Sequence, residues 1–229
     1  QISNLSKKYG ETVVFSDLNY TFENACIYGL VGRNGAGKTT LLNILSNYDK
    51  NYTGVISIDR KKMNKVDYLD MPVAYAMDQP SFFNELTIYE NLLLIASSRK
   101  IKKQEAFDKI ERILDGLGLK KYENYSPLEL SKGTMQRLNN ACAMIQEEKI
   151  TIFDEPFSGL DPVQMKLLEN VIVEFHKKEK GIYIISSHDI ECLQNVCDKC
   201  LLLHNGQIRE INMEEVDREE IAKILSEGE

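Results

Sequence analysis

The chain opens with short apolar runs broken by polar pairs. Over residues 2–22, with Gly10 as a turn signal, they read as strands of an antiparallel meander. At residues 25–31 the pattern becomes a nearly continuous apolar stretch. It stops at a glycine-rich loop and resumes as Thr40-Leu41-Leu42-Asn43-Ile44-Leu45, which predicts a buried strand, a loop and a helix, the opening of a βαβ unit. Residues 54–59 alternate in strand fashion, and residues 73–77 form a short apolar run bounded by Pro72 and Pro80. From 87 to 145 the period is helical, with Phe107, Ile110, Ile113, Leu114 and Leu117 on one face. Strand patterns return at 150–153, 182–186 and 200–203, with a helix over about 163–178, and an acidic amphipathic helix is expected over 213–225. Strands alternating with helices predict an α/β protein with a mainly parallel sheet. The N-terminal residues form an antiparallel β subdomain, and residues 85–146 a helical subdomain inserted in the core. The whole of 1–229 is read as one domain.

Composition narrows the function classes. The 28 basic and 35 acidic residues give a net charge of −7, which argues against a chain whose main work is neutralising a nucleic acid or an anionic membrane surface. No nucleic-acid partner is expected. The longest apolar runs, at 92–96 and 201–203, fall far short of the roughly 20 residues needed to span a bilayer, and nothing after Gln1 reads as a secretory leader. The cysteines number five and are expected as reduced thiols. Cys192, Cys197 and Cys200 have a spacing that invites a zinc reading, but no second ligand-bearing element accompanies them. Cys192 and Cys197 are placed on a helical stretch and Cys200 on a strand, as small packing residues.

The strongest chemical signal is Gly32-Arg33-Asn34-Gly35-Ala36-Gly37-Lys38-Thr39, which matches G-x-x-x-x-G-K-[ST] between an apolar strand and a helix. Glycines let the loop fold so that successive N–H groups point inward at an anion, and the helix adds its positive end. Lys38 is expected to bridge phosphate oxygens, and Thr39 to place its hydroxyl on Mg²⁺. A second signal is the apolar strand that ends in Asp154 and Glu155. Ligands of parallel sheets bind at the carboxyl ends of strands, so Asp154 is expected to face the magnesium and Glu155 to reach an attacking water as general base. A third is Leu130-Ser131-Lys132-Gly133-Thr134-Met135-Gln136-Arg137, where Ser131 reads as the N-cap of a helix and Gly133 permits close approach of an anion.

Taken together these residues resemble the ATP-binding-cassette ATPases, the nucleotide-binding subunits of ABC transporters, over nearly the whole chain. Tyr9 resembles the aromatic that stacks on adenine, and Gln79 the glutamine that links magnesium and water to the membrane subunit. Residues 130–137 resemble the family signature, Asp154 and Glu155 the Walker B pair, Ser158-Gly159-Leu160-Asp161 the D-loop, and His188 the switch histidine at the γ-phosphate. Lys132 and Thr134 depart from the usual signature, in which glycine and glutamine are more common. The resemblance implies an ATPase that binds ATP through Tyr9, the loop from Gly32 to Thr39, Thr40, Ser131 and Gly133. Mg²⁺ would be held by Thr39, Gln79 and Asp154, and catalysis carried by Glu155, His188 and Gln79. It further implies a head-to-tail homodimer on the cytoplasmic face of the membrane, coupled to a separate integral-membrane permease and working in export. Phe82 and Phe83, near Gln79, are placed at the permease contact. The alternatives are a non-transport ABC ATPase, such as an iron–sulfur assembly subunit, and a P-loop kinase or GTPase.

Overall fold

The structure is a computed structural model that describes residues 1–66, 70–188 and 190–212, and the statements below concern these. The helix expected over 213–225 lies outside the described residues.

Two sheets organise the chain. The first has the order β2-β1-β4-β5 and is antiparallel, built from β1 (Ile2–Tyr9), β2 (Thr12–Tyr20), β4 (Thr53–Ile58) and β5 (Lys61–Lys62). The second has the order β10-β9-β3-β8-β7-β6, with β3 (Cys26–Val31), β6 (Val73–Ala76), β7 (Ile150–Asp154), β8 (Ile182–Ser187) and β9 (Lys199–His204) all parallel. A final strand, β10 (Gln207–Ile211), turns back antiparallel to β9.

The parallel strands read as continuous apolar runs because both of their faces are covered. Ile27, Val31, Phe153, Tyr183 and Ile185 point into one core with the helices, while Tyr28, Leu30, Ile152 and Ile184 point into another with α1 (Lys38–Leu45) and the antiparallel sheet. Between β6 and β7 run α2 (Ile88–Ser98), α3 (Lys103–Gly116) and α4 (Lys132–Met144), and α5 (Pro162–Glu179) crosses from β7 to β8. The helices start where their caps dictate. Thr87 and Glu90 form a reciprocal capping box on α2, Ser131 caps α4, and Asp161 caps α5 ahead of Pro162.

One expectation is corrected. The short helix α6 (Glu191–Gln194) carries Cys192 but ends before Cys197, whose sulfur instead packs under the backbone of Gly29. Phe82 packs against the core while Phe83 is exposed, and both line the groove between β6 and the inserted helices. Burial pushes the thiols of Cys142 and Cys200 up to about 12, which keeps them protonated packing groups. Among the described residues no helix is long and apolar enough to cross a membrane.

Candidate functional site

Parallel register brings the chemical residues to one edge of the sheet. Val31 pairs with Ser187 and Asp154 with Ser186, so the loop after β3, the carboxylates ending β7 and the histidine after β8 emerge side by side. The loop from 32 to 37 closes on itself through a hydrogen bond from the Ala36 N–H to the Arg33 carbonyl (3.1 Å) and delivers the chain into α1 at Gly37. Gly37 has φ of 100°, and a Cβ there would meet Val14 at 2.8 Å and the Phe15 ring at 3.1 Å, so both backbone and packing demand glycine. No side chain caps α1, which leaves its first N–H groups for an anion.

Lys38 is buried inside this loop, with its Nζ donating to the Gly32 carbonyl at 2.7 Å and lying 3.9 Å from Glu155 Oε1. Burial lowers its pKa, and the charges of Glu155 and Asp154 oppose that shift. Thr39, the next residue, is exposed at the start of α1, and Thr40 is half-buried.

Asp154 is almost wholly buried, yet its carboxylate is satisfied. Ser186 Oγ donates to one oxygen at 2.5 Å, and the Tyr75 hydroxyl donates to the other at 3.3 Å. Burial first and then the Asp154 charge push the Tyr75 hydroxyl up, so it stays a donor. Ser186 works twice, because its Oγ also accepts the backbone N–H of Glu155 at 2.9 Å.

Glu155 has a φ of 49°, a left-handed conformation uncommon for a side chain of its size. Side chains hold both of its flanking peptides, Ser186 at the N–H and Gln136 Nε2 at the carbonyl (3.3 Å). Its Oε2 accepts from His188 Nδ1 at 2.9 Å, and since a carboxylate only accepts, Nδ1 carries the proton. Glu155 thus stands between a buried lysine and an exposed histidine.

Helix α4 braces this edge. Asn139 Nδ2 donates to the Met77 carbonyl at 2.7 Å, fixing the bend that carries exposed Gln79, and Asn140 Nδ2 donates to the Pro156 carbonyl at 3.2 Å, just past Glu155. A Cβ on Gly133 would sit 2.9 Å from the Gly159 carbonyl, so the first turn of α4 presses directly on the loop after β7. Ser131 Oγ accepts from the Thr134 N–H at 3.3 Å and meets Thr134 Oγ1 at 2.9 Å, and buried Thr134 in turn accepts from Arg137 Nη2 at 3.2 Å. Lys132 is exposed, its stem within van der Waals reach of Gly159. Tyr9 is exposed at the end of β1.

One chain therefore brings Lys38, Asp154, Glu155 and His188 together, whereas the contacts of Ser131 and Gly133 are with Thr134, Gly159 and Gln164, none of them in the loop from 32 to 37. Sequence reasoning missed Ser186, Tyr75, Asn139 and Asn140. The one available signal was polar side chains inside otherwise apolar strand and helix faces.

Removing the Ser186 hydroxyl leaves both a buried carboxylate oxygen and the Glu155 N–H without a partner. Ser186→Ala is expected to cost about 1–3 kcal/mol of stability, read as a lower urea midpoint with an unchanged slope.

A family model described as ABC transporter matches residues 15–158. A tungstate uptake system ATP-binding protein from Peptoclostridium acidaminophilum is 30% identical over 91% of this chain and 96% of its own length. A bacitracin transport ATP-binding protein from Enterococcus faecalis is 30% identical over 95% of this chain and 70% of its own. Among solved structures, one described as the ATP-binding subunit of an ABC transporter aligns with a TM-score of 0.85 and 27% identity, covering 97% of this chain and 93% of that one.

Proposed function

This chain belongs to the ABC transporter family as an ATP-binding ATPase cassette, and from that premise we propose that two copies close head to tail over ATP and, by parting after hydrolysis, drive a separate integral-membrane permease in export from the cytoplasmic face. The observation that carries the reading is the position of Glu155, 2.9 Å from His188 and 3.9 Å from Lys38 at the edge where the loop of a phosphate-binding nest emerges.

The roles follow from the chemistry of each group. The N–H groups of Gly32 to Gly37 and of the uncapped start of α1, with Thr40, receive the phosphates, and the Lys38 ammonium turns from the Gly32 carbonyl to β- and γ-phosphate oxygens. Glu155 takes a proton from water as that water's oxygen bonds to the γ-phosphorus and the bond from phosphorus to the bridging oxygen breaks, leaving ADP and phosphate. His188, held by its Nδ1–H on Glu155, offers Nε2 to the γ-phosphate. Tyr9 stacks on adenine.

The donors Thr39, Asp154 and Gln79 are hard oxygens, with a single carboxylate among them, and this suits Mg²⁺, which prefers a few protein oxygens completed by phosphate and water. Bound there, the ion neutralises phosphate charge. Ser131 and Gly133 at the start of α4 serve the ATP of the second copy, closing the side of the γ-phosphate that a single nest leaves to water. The groove lined by Tyr75, Met77, Phe83, Arg99 and Cys142, between β6 and the inserted helices, seats the permease next to Gln79.

The test is made in membranes that express the chain together with a candidate multi-spanning permease. In inverted vesicles, where the ATPase faces outward, export predicts ATP-dependent accumulation of substrate in the lumen. Depletion would reverse the direction. Recovery of the chain with soluble assembly proteins and no multi-spanning partner would remove the transport role.

A further inference from the structure

Lys7 lies within β1 and is only 4% exposed, although a charge buried under a small antiparallel sheet is costly unless it is paired. Its partners are specific. The ammonium lies 2.6 Å from Asp49 Oδ2 and donates to the Asn51 carbonyl at 2.7 Å. The same Asp49 oxygen accepts from the Tyr9 hydroxyl at 3.2 Å, and Lys7 Nζ stands 4.5 Å from the centre of the Tyr9 ring. Asp49 is itself fastened to α1, the helix that begins at Lys38, by its N–H on the Asn43 carbonyl at 3.0 Å. Burial raises the Asp49 carboxyl, but the hydrogen bonds from Lys7, the Asn51 N–H and Tyr9 outweigh it and leave that carboxyl below its ordinary value. Tyr9 nonetheless remains 53% exposed.

An exposed tyrosine normally samples several rotamers, and ordering it on a ligand weakens binding. Here the ring is tethered at its hydroxyl and covered at one face by a cation, and it is tied to the helix that bears the phosphate loop. We infer that Lys7 and Asp49 are positioning residues that hold Tyr9, through the Tyr9 hydroxyl and ring face, as the purine platform at a set reach from the phosphate cradle. The inference rests on the reading of Tyr9 as the group that stacks on adenine.

The test compares ATP with inorganic tripolyphosphate, which carries the phosphates and no base, on the full chain by calorimetry. Lys7→Met is expected to weaken ATP binding about tenfold, near the loss of one base stack, and to leave tripolyphosphate binding unchanged, with Lys7→Arg restoring most of the loss. A merely structural role would weaken both ligands together, and that result overturns the proposal. If Tyr9→Ala weakens ATP binding while Lys7→Met does not, the positioning role falls and the platform stands. If Tyr9→Ala itself changes nothing, the platform reading falls first. Should Lys7→Met fail to fold, Tyr9→Phe removes only the hydroxyl tether, and a severalfold loss for ATP alone is expected. Unchanged ATP affinity in that variant overturns the proposal equally.

Discussion

Glu155→Gln is expected to lose about 10²- to 10⁴-fold in ATP turnover, the usual contribution of a placed general base, while still binding ATP. Glutamine keeps the shape and an acceptor oxygen for His188 Nδ1–H, and the bonds that fix the backbone, from Ser186 and Gln136, do not involve the side chain. What disappears is the proton acceptor and a negative charge close to where the γ-phosphate must lie. Removing that charge relieves repulsion, so binding holds or tightens and the closed pair outlives the missing chemical step. A sizing column should then show an ATP-dependent dimer that the unaltered chain forms only transiently. Turnover persisting near the level of the unaltered chain would take the base role from Glu155.

Lys38→Met carries the second large effect, and its two consequences run in opposite directions. Methionine keeps most of the buried volume but no charge, so the charge-assisted hydrogen bonds to phosphate are lost. At about 1.5–3 kcal/mol each, one or two such bonds correspond to a fall in ATP affinity of roughly 10- to 10⁴-fold. Stability should not fall with it. Burial lowers the Lys38 pKa against the pull of Glu155 and Asp154, so the charged form is less favoured folded than unfolded. The unfolded chain binds this proton more firmly, and the cost, fully present below the lowered folded value, is relieved as pH rises from there toward 10.5. Thermal melts without nucleotide should place the variant at or above the unaltered chain at neutral pH, with the difference narrowing in alkali. Unchanged ATP affinity by titration calorimetry would refute the phosphate role.

The buried strands were legible because covering a strand on both faces requires a nearly continuous apolar run, as Cys26–Val31 and residues 150–153 display. Strand Gln207–Ile211 was not, since it is an edge strand with Arg209 and Glu210 exposed, and its pairing with Lys199–His204 defines it more than any periodicity of its own. The helical stretch expected around Cys192 and Cys197 was legible but not its end, since Glu191–Gln194 has too few residues for a helical period to mark where it stops. Phe82 and Phe83 differ in burial although they are neighbours, because that depends on which side of a loop faces the core.

The candidate site divides along the same line. A loop that binds an anion through consecutive backbone N–H groups must carry its glycines and lysine in one contiguous stretch, so residues 32–39 announce themselves. The network that holds Asp154 and Glu155 in place joins residues far apart in the chain: Tyr75, Gln136 and Ser186 are recognisable only once strands and helix have been laid side by side.

By itself, the order of residues determined the family, the glycine-rich loop, the acidic strand end and the alternation of strands and helices, because each is encoded by neighbours in the chain. The tertiary structure alone decided that His188 donates to Glu155, that Gly133 is pressed against Gly159, and that Lys7 stands beneath Tyr9. Those contacts depend on strand register and helix docking, and a hydrogen bond across a sheet leaves no spacing in the sequence that produces it.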